Sequence, residues 1–423
     1  MANNRIFWAI QGVIISNDGK NPSGSYAAGS VSAAYSDHNT GSFAVDTDGS
    51  NPIGVIPRGL QSVGITTTFN LEQVFELGQL SMYENIEEVP DIEVTFERVL
   101  DNTMLLYAAC SPNSFARTAS GDDSAVGGRV ADAGGLVAGA NDRCDVTLAI
   151  FADTANKAGD GKHPAAAVHM SGMYVSSVSY TMPVDGNSTE SLTLVGNAKM
   201  WRGVNGVNAT TGAFGWAAAG EAVSWATIDW DFGTTTSPAG VSDDASSSTT
   251  DTGSLEGVTR RQNFDLTTSI LPRDIFGVVG TSAGNAINGN TPRIHLQNVT
   301  VSCDLGREAI NELGQKEPYH RYVTFPIEVT SEFEVVSVSG DLVGADPNND
   351  NLTAERVLIV LKGDDINADG TVTYTKFDLG SKNKLQSVSY SGGDTGGGNV
   401  TCSYSYSTFN DLSVMTPQIK TSK

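Results

Sequence analysis

Alternation of apolar and polar positions is the strongest regular signal in this chain. From Leu60 onward, Leu60, Ser62, Gly64 and Thr66 fall on one face and Gln61, Val63, Ile65 and Thr67 on the other, the two-residue period of a strand. The same parity returns at Leu296, where Val299 and Val301 take the places of Val63 and Ile65, so one buried sheet face is expected at both sites. Ile92-Glu93-Val94-Thr95-Phe96-Glu97 alternates cleanly as well. Between residues 70 and 90 the period fails, broken by Glu72, Glu76, Glu84, Glu87 and Glu88, and the stretch reads as a long excursion out of the sheet. Further strands are expected at 146–151, 166–170, 173–182 and 188–195. The last two flank Pro183-Val184-Asp185-Gly186-Asn187, which has hairpin-turn chemistry. Residues 102–109 read as a short helix.

The pattern occurs twice. Residues 60–90 lie over 296–326 without a gap, with Leu60/Leu296, Gln61/Gln297, Val63/Val299, Glu72/Glu308, Tyr83/Tyr319 and Pro90/Pro326 identical. So is the block Glu76-Leu77-Gly78-Gln79 over Glu312-Leu313-Gly314-Gln315. Dropping Asp91 then sets Ile92-Glu93-Val94-Thr95 on Ile327-Glu328-Val329-Thr330. The second half recurs too, with Ser177-Val178-Ser179-Tyr180 returning as Ser387-Val388-Ser389-Tyr390, followed by a Gly-rich turn at 392–399 and a return strand at 400–406. The first copy is the longer between its halves, and an Ala/Gly/Asp/Ser-rich insertion at 111–143 supplies the difference.

The organisation expected is therefore an arm and first strand (1–57), a first copy (58–200), a joint (201–258), a second copy (259–415) and a short tail (416–423). The arm opens on an apolar strand, 6–15, and carries alternating runs at 30–35 and 42–45. The joint combines Trp216, Trp225 and Trp230, near Ala217-Ala218-Ala219, with a Ser/Thr-rich acidic stretch at 237–254. Fold class is mainly β, a sandwich or barrel-type domain with a short helix, tandemly duplicated. With 423 residues the chain exceeds one ordinary core, and 46 glycines with only 17% charged residues suit short strands and turns.

Charge alone does not decide the function. A net charge of -23, from 48 acidic and 25 basic residues, disfavours tight binding to a phosphate backbone and suits a surface that DNA passes without sticking, but an acidic balance more often serves plain solubility. The N-terminal residues carry no secretion signal, and no stretch approaches the roughly 20 apolar residues that cross a bilayer, so a soluble, cytoplasmically made protein without membrane contact is expected. Cys110, Cys144, Cys303 and Cys402 read as buried free thiols. A zinc site formed with His169 or His295 is the less favoured alternative, since no two ligands sit at a chelating spacing.

Candidate chemistry is sparse. Gly280-Thr281-Ser282-Ala283-Gly284 matches the G-x-S-x-G elbow, but turn residues follow where a helix should, which favours a surface loop. Asp365-Ile366-Asn367-Ala368-Asp369-Gly370 matches half of a calcium loop, but Lys376 stands where the bidentate carboxylate belongs and the flanks are strand-like, which favours a hairpin turn. His38, His163, His169, His295 and His320 form no metal or acid/base constellation. The expectation is a protein that is not an enzyme and needs no cofactor.

At the duplicated hairpins the chain resembles the tail tube proteins of long-tailed bacteriophages, of the internally duplicated type. The likeness is carried by Leu60-Gln61-Ser62-Val63-Gly64-Ile65-Thr66-Thr67-Thr68-Phe69, by the Glu-Leu-Gly-Gln excursion, and by residues 172–180 running through the Pro-Val-Asp-Gly-Asn turn to Leu192-Thr193-Leu194-Val195-Gly196-Asn197. It implies a β-sandwich with one helix, sheets paired edge to edge around a lumen, and rings of six domains built as trimers of a duplicated chain. It also implies a virion location, with other tail proteins as partners: tape measure, tail terminator and, as an open alternative, sheath. Viral DNA would pass through without specific binding.

The excursions at 69–90 and 305–326 would reach the next ring. Their contact residues would be Glu72, Glu76, Leu77, Gly78, Gln79 and Glu84 in the first copy, and Arg307, Glu308, Glu312, Leu313, Gly314, Gln315, Lys316 and Arg321 in the second. The basic Arg307, Lys316 and Arg321 are expected to meet the first copy's acids. Glu93, Glu190 and Glu328 are the carboxylates expected at the lumen. Rival readings are another virion component, decoration or sheath-like, and an extracellular carbohydrate-binding β-protein.

Overall fold

Val, Ile, Thr and aromatic residues are dense wherever the alternation holds, and in the computed structural model of the chain those stretches are strands. The structure describes residues 6, 11–17, 43–45, 52–55, 57, 59–78, 80–101, 105–111, 126–132, 143–150, 166–202, 213–215, 222–224, 258–266, 296–316, 318–336, 340–341, 343, 345, 352, 354, 356–366, 372–392 and 398–416. In chain order the first strands are β1 (Gln11–Asn17), β2 (Phe43–Val45), β3 (Pro52–Val55), β4 (Leu60–Thr68), β5 (Leu71–Phe75), β6 (Met82–Glu87) and β7 (Asp91–Val99). A helix, α1 (Leu106–Cys110), precedes β8 (Val126–Asp132), β9 (Arg143–Ile150), β10 (Ala166–Pro183), β11 (Thr189–Gly196), β12 (Ala198–Arg202), β13 (Ala213–Gly215) and β14 (Ala222–Ser224). Then come β15 (Phe264–Leu266), β16 (Leu296–Asp304), β17 (Arg307–Ile310), β18 (His320–Val323) and β19 (Glu328–Val336). The last five are β20 (Leu358–Ile366), β21 (Val372–Asp378), β22 (Lys384–Ser391), β23 (Thr401–Phe409) and β24 (Asp411–Thr416).

Two sets of four strands have the same order and register. β4 pairs with β7, β7 with β11 and β11 with β10, while β16 pairs with β19, β19 with β23 and β23 with β22. Val63 faces Phe96 as Val299 faces Phe333, and Leu192 faces Phe96 as Tyr404 faces Phe333. Val178 faces Leu192 as Val388 faces Tyr404. Even the irregularities coincide: register breaks follow Leu60 and Leu296, and again Val175 and Leu385. Bulges recurring at the same ladder positions are specified features, not noise.

One correction follows. Setting Ile92 on Ile327 puts Phe96 over Ser331, whereas the ladder puts it over Phe333, two residues further on. A two-residue slip preserves which face each side chain occupies, so alternation alone cannot detect it.

The sets are joined. β10 pairs antiparallel with β16, Tyr180 opposite Val301 and Ser179 opposite Ser302, so β4-β7-β11-β10-β16-β19-β23-β22 is one continuous run of the 13-stranded sheet. The run is open, with no closed barrel among the described residues. Strand pairs therefore cross the boundary expected near residues 200–259, and β8, from within the 111–143 insertion, pairs with β24 near the C-terminus.

β10 serves two layers. Its first half pairs with β9 and β12, and its second with β11 and β16. The bend lies between Met170 and Met173, where Gly172 has φ +64 and its N–H donates to Asp145 Oδ1 at 2.9 Å. A five-stranded sheet, β15-β20-β21-β24-β8, shares its core with the large one, the Tyr180 and Phe377 rings lying 4.6 Å apart. Core and surface alternate along β7: Ile92, Val94 and Phe96 are buried, and Glu93, Thr95 and Glu97 exposed.

The 183–187 turn connects β10 to β11, with Gly186 at φ +111. β20 and β21 form the expected hairpin over the half calcium loop, Ile366 opposite Val372; residues 367–371 lie outside the described residues, as do 280–284. All four cysteines are buried free thiols, and no metal-binding group of His, Cys, Asp or Glu occurs among the described residues. The helix begins at Leu106, later than the expected 102, and residues 102–104 lie outside the described residues. No helix is long and apolar enough to cross a membrane among the described residues.

Candidate self-assembly interface

The excursions are hairpins. β5 pairs with β6 and β17 with β18 in matching register, Val74 opposite Glu84 and Ile310 opposite His320. Their turns hold the repeated block, with Gly78 at φ +95 and Gly314 at φ +91, a left-handed geometry that glycine adopts without strain. Leu77 and Leu313 beside them are wholly exposed, 103% and 106%, so each touches nothing in its own protomer. Phe75, Leu80, Met82 and Tyr83 extend the exposed apolar surface of the first hairpin. An irregular, polar excursion was the expectation, and regular ladders with apolar tips are the finding. The period fails because β5 and β6 stand off the main sheet and are largely exposed on both faces, so burial imposes no alternation.

Glu72, Glu76 and Glu84 are exposed on the first hairpin, and Glu308, Glu312, Gln315 and Lys316 on the second; Gln79 lies outside the described residues. Two of the basic residues expected to meet acids of another ring are instead used within the protomer. Arg321 pairs with Asp91 at 2.6 Å and donates to Asn197 Oδ1 at 3.1 Å. Arg307 donates to the Val175 carbonyl at 2.6 Å, with its guanidinium 5.4 Å from the centre of the Tyr174 ring, and burial pushes it down to about 10. Tyr174 Oη lies 2.8 Å from His320 Nδ1. The base of the second hairpin is thus seated on β10 and the end of β11, while its turn stays free. Asp91 is more than half exposed, so its pair with Arg321 contributes on the order of 1 kcal/mol at most; it aims the hairpin rather than stabilising the fold.

The outer edges of the eight-strand run are β4 and β22, each paired on one side only among the described residues. They are counterparts of β16 and β10, the two strands joined in the middle of the run. Burial differs accordingly. Tyr180, on β10, is fully buried, and Tyr390, at the matching position of β22, is 53% exposed. Val299 and Val301 are buried on β16, but Val63 and Ile65 on β4 only partly so.

One face of the run is polar. Ser302 and Thr330 hydroxyls bond at 2.6 Å, and Ser403, Ser405 and Ser407 lie opposite Glu334, Glu332 and Thr330. Glu93 and Glu328 are exposed, and so are Glu97 and Glu332, which alternate with core residues on the same outward face.

Glu190 is a correction. Its parity is that of Leu192 and Leu194, and it is fully buried on the core face. Its carboxylate accepts from the Leu106 and Tyr107 N–H groups at 2.8 and 3.2 Å and from Tyr180 Oη at 3.2 Å, and lies 3.7 Å from Arg98. Burial pushes its carboxyl up; Arg98 and the two N–H groups pull the other way. It caps α1, whose own sequence supplies no side-chain cap.

His169 on β10 lies 2.9 Å from the Thr147 hydroxyl, and burial pushes it down to about 4. The unfolded chain takes up this proton near 6.5 and the folded chain only near 4, so stability is full above 6.5 and falls with acidification. Denaturant titrations across this window are expected to show a loss of roughly 3 kcal/mol, and His169→Gln to flatten that slope.

No family model matches the chain, and no curated protein matches it. Among solved structures, a chain of the "Cryo-EM structure of the anti-feeding prophage (AFP) baseplate, 6-fold symmetrised" is similar over 48% of this chain and 98% of its own, at 11% identity and a TM-score of 0.26. A likeness this low bears on neither activity nor assembly.

Proposed function

We propose that the protein is a structural virion component that closes into rings, stacked as the wall of a tail tube through which the genome leaves. The observation that carries this reading is the β10–β16 junction: it joins two strand sets of identical register, and the counterparts of the joined strands lie open at the two ends. Pairing β22 of one copy with β4 of the next repeats that junction, and repetition around an axis leaves neither end of the eight-strand run open. With six sets to a ring, as the family resemblance implies, three copies complete it. The register carried over sets Tyr390 opposite Ile65 and Ser389 opposite Thr66.

The polar face, with Glu93, Glu97, Glu328 and Glu332, then lines the lumen, where carboxylates and hydroxyls let phosphates pass without holding them. The apolar hairpin turns at Leu77 and Leu313 meet the adjacent ring. Tape measure and terminator proteins are the partners expected inside and at the end of such a tube. Electron microscopy of the purified chain is expected to show hollow filaments or rings, with light scattering giving a ring mass of three chains. Monomers, or rings of six chains, contradict the proposal.

A further inference from the structure

The seat that holds the second hairpin has a counterpart on the far side of the protomer, and its chemistry differs. Lys384 occupies on β22 the place Tyr174 occupies on β10: Tyr174 faces Val195 and Lys384 faces Ser407, each just ahead of the same register break. Glu84 occupies on β6 the place of His320 on β18. Leu71 stands for Arg307, opposite Glu87 as Arg307 is opposite Val323, and Asn85 stands for Arg321. Glu328, which precedes Val329, stands for Asp91, which precedes Ile92.

The second hairpin's base is partly buried on its seat, but the first hairpin's base has no cover, with Leu71 55% and Ile86 41% exposed. Lys384 and Glu84 are likewise exposed.

We infer that the first hairpin is seated on β22 and β23 of a second copy of this chain, keyed by an ion pair between Glu84 and the neighbour's Lys384. The inference rests on the ring reading and adds what selects the neighbour. Where one chain's own halves meet, the contact is Tyr174 with His320 and Arg321 with Asp91. Where two chains meet, it becomes Lys384 with Glu84 and Glu328 with the Asn85 amide, with Leu71 lying along the lysine's methylenes. The two seats are not interchangeable. Placed on the outer seat, the second hairpin would set Arg307, which lies over the Tyr174 ring, against Lys384, a like charge, so that seat disfavours it. Only the hairpin ladders are involved, and both turns remain free to meet the next ring.

Charge reversal tests this. Lys384→Glu and Glu84→Lys, both at exposed positions, are expected to leave the melting temperature unchanged and each to raise the concentration needed for ring formation about tenfold, through like-charge juxtaposition. The double variant restores assembly to near the original concentration, and added salt narrows the gap between single variants and parent. Singles that assemble like the parent, or a double variant as poor as either single, overturn the pairing while rings of the parent protein keep the ring reading intact. A parent protein that forms no rings overturns both.

Discussion

Glu190→Ala is expected to lower the stability of the protomer by about 3–5 kcal/mol, the loss typical of breaking a buried charge pair by removing one member. Arg98 is 1% exposed and is held between Asp101, at 2.7 Å, and Glu190, at 3.7 Å. Removing Glu190 leaves the guanidinium with one carboxylate and strips α1 of the acceptor for its first two N–H groups. The chain itself offers the control. Arg98 faces Glu190 on β7 and β11, and at the matching place on β19 and β23 Val335 faces Cys402. Arg98→Val with Glu190→Cys should therefore recover part of the loss, because an apolar pair of fitting size replaces a buried ion pair at little cost. Urea unfolding of the parent, of Arg98→Val and Glu190→Cys alone and of the double variant measures the coupling. Equal and additive losses would show that the two side chains act independently.

Tyr390→Asp should abolish ring assembly and leave the folded protomer within about 0.5 kcal/mol of the parent, as an exposed substitution does. Tyr180→Asp, at the matching register position, should instead unfold the chain. Tyr180 is buried beside β16, with its hydroxyl on Glu190 and its ring 4.6 Å from that of Phe377, whereas Tyr390 lies on an open edge. In the proposed ring, Tyr390 faces Ile65 of the next copy as Tyr180 faces Val301 within one copy. An aspartate there places an unpaired carboxylate in an apolar junction, a cost of several kcal/mol at every interface of the ring. Sedimentation velocity with circular dichroism separates lost assembly from lost fold. Rings formed by the Tyr390→Asp protein would rule out this edge as the contact.

Alternation made the sheet legible in the sequence because a half-buried strand must alternate, and β4, β7, β16 and β19 do. The same rule, applied one strand further, places Glu190 in the core, since it shares the parity of Leu192 and Leu194. What alternation cannot supply is register. A slip of two residues leaves every side chain on its face, which is why Ile92 over Ile327 looked right and Phe96 over Phe333 is the pairing. Nor can it find β5, β6 and β17, whose exposed faces impose no period. The roles of Arg307 and Arg321 were hidden for a different reason: their partners, Val175, Asn197 and Asp91, lie more than a hundred residues away in the chain and become neighbours only through the β10–β16 junction.

That junction, repeated between chains, is the central claim, and cysteine cross-linking reads it most directly. A chain carrying both Ile65→Cys and Tyr390→Cys places two thiols on facing strands, within disulfide reach, only if β22 of one copy pairs with β4 of the next in the carried-over register. The four native cysteines are buried and stay silent. Mild oxidation of assembled protein is expected to give covalent dimers and trimers, with trimer the end point, and Val63→Cys with Tyr390→Cys, slipped by two residues, to give neither. Rings that remain monomeric on a denaturing gel, or that cross-link equally well through the slipped pair, would contradict the account.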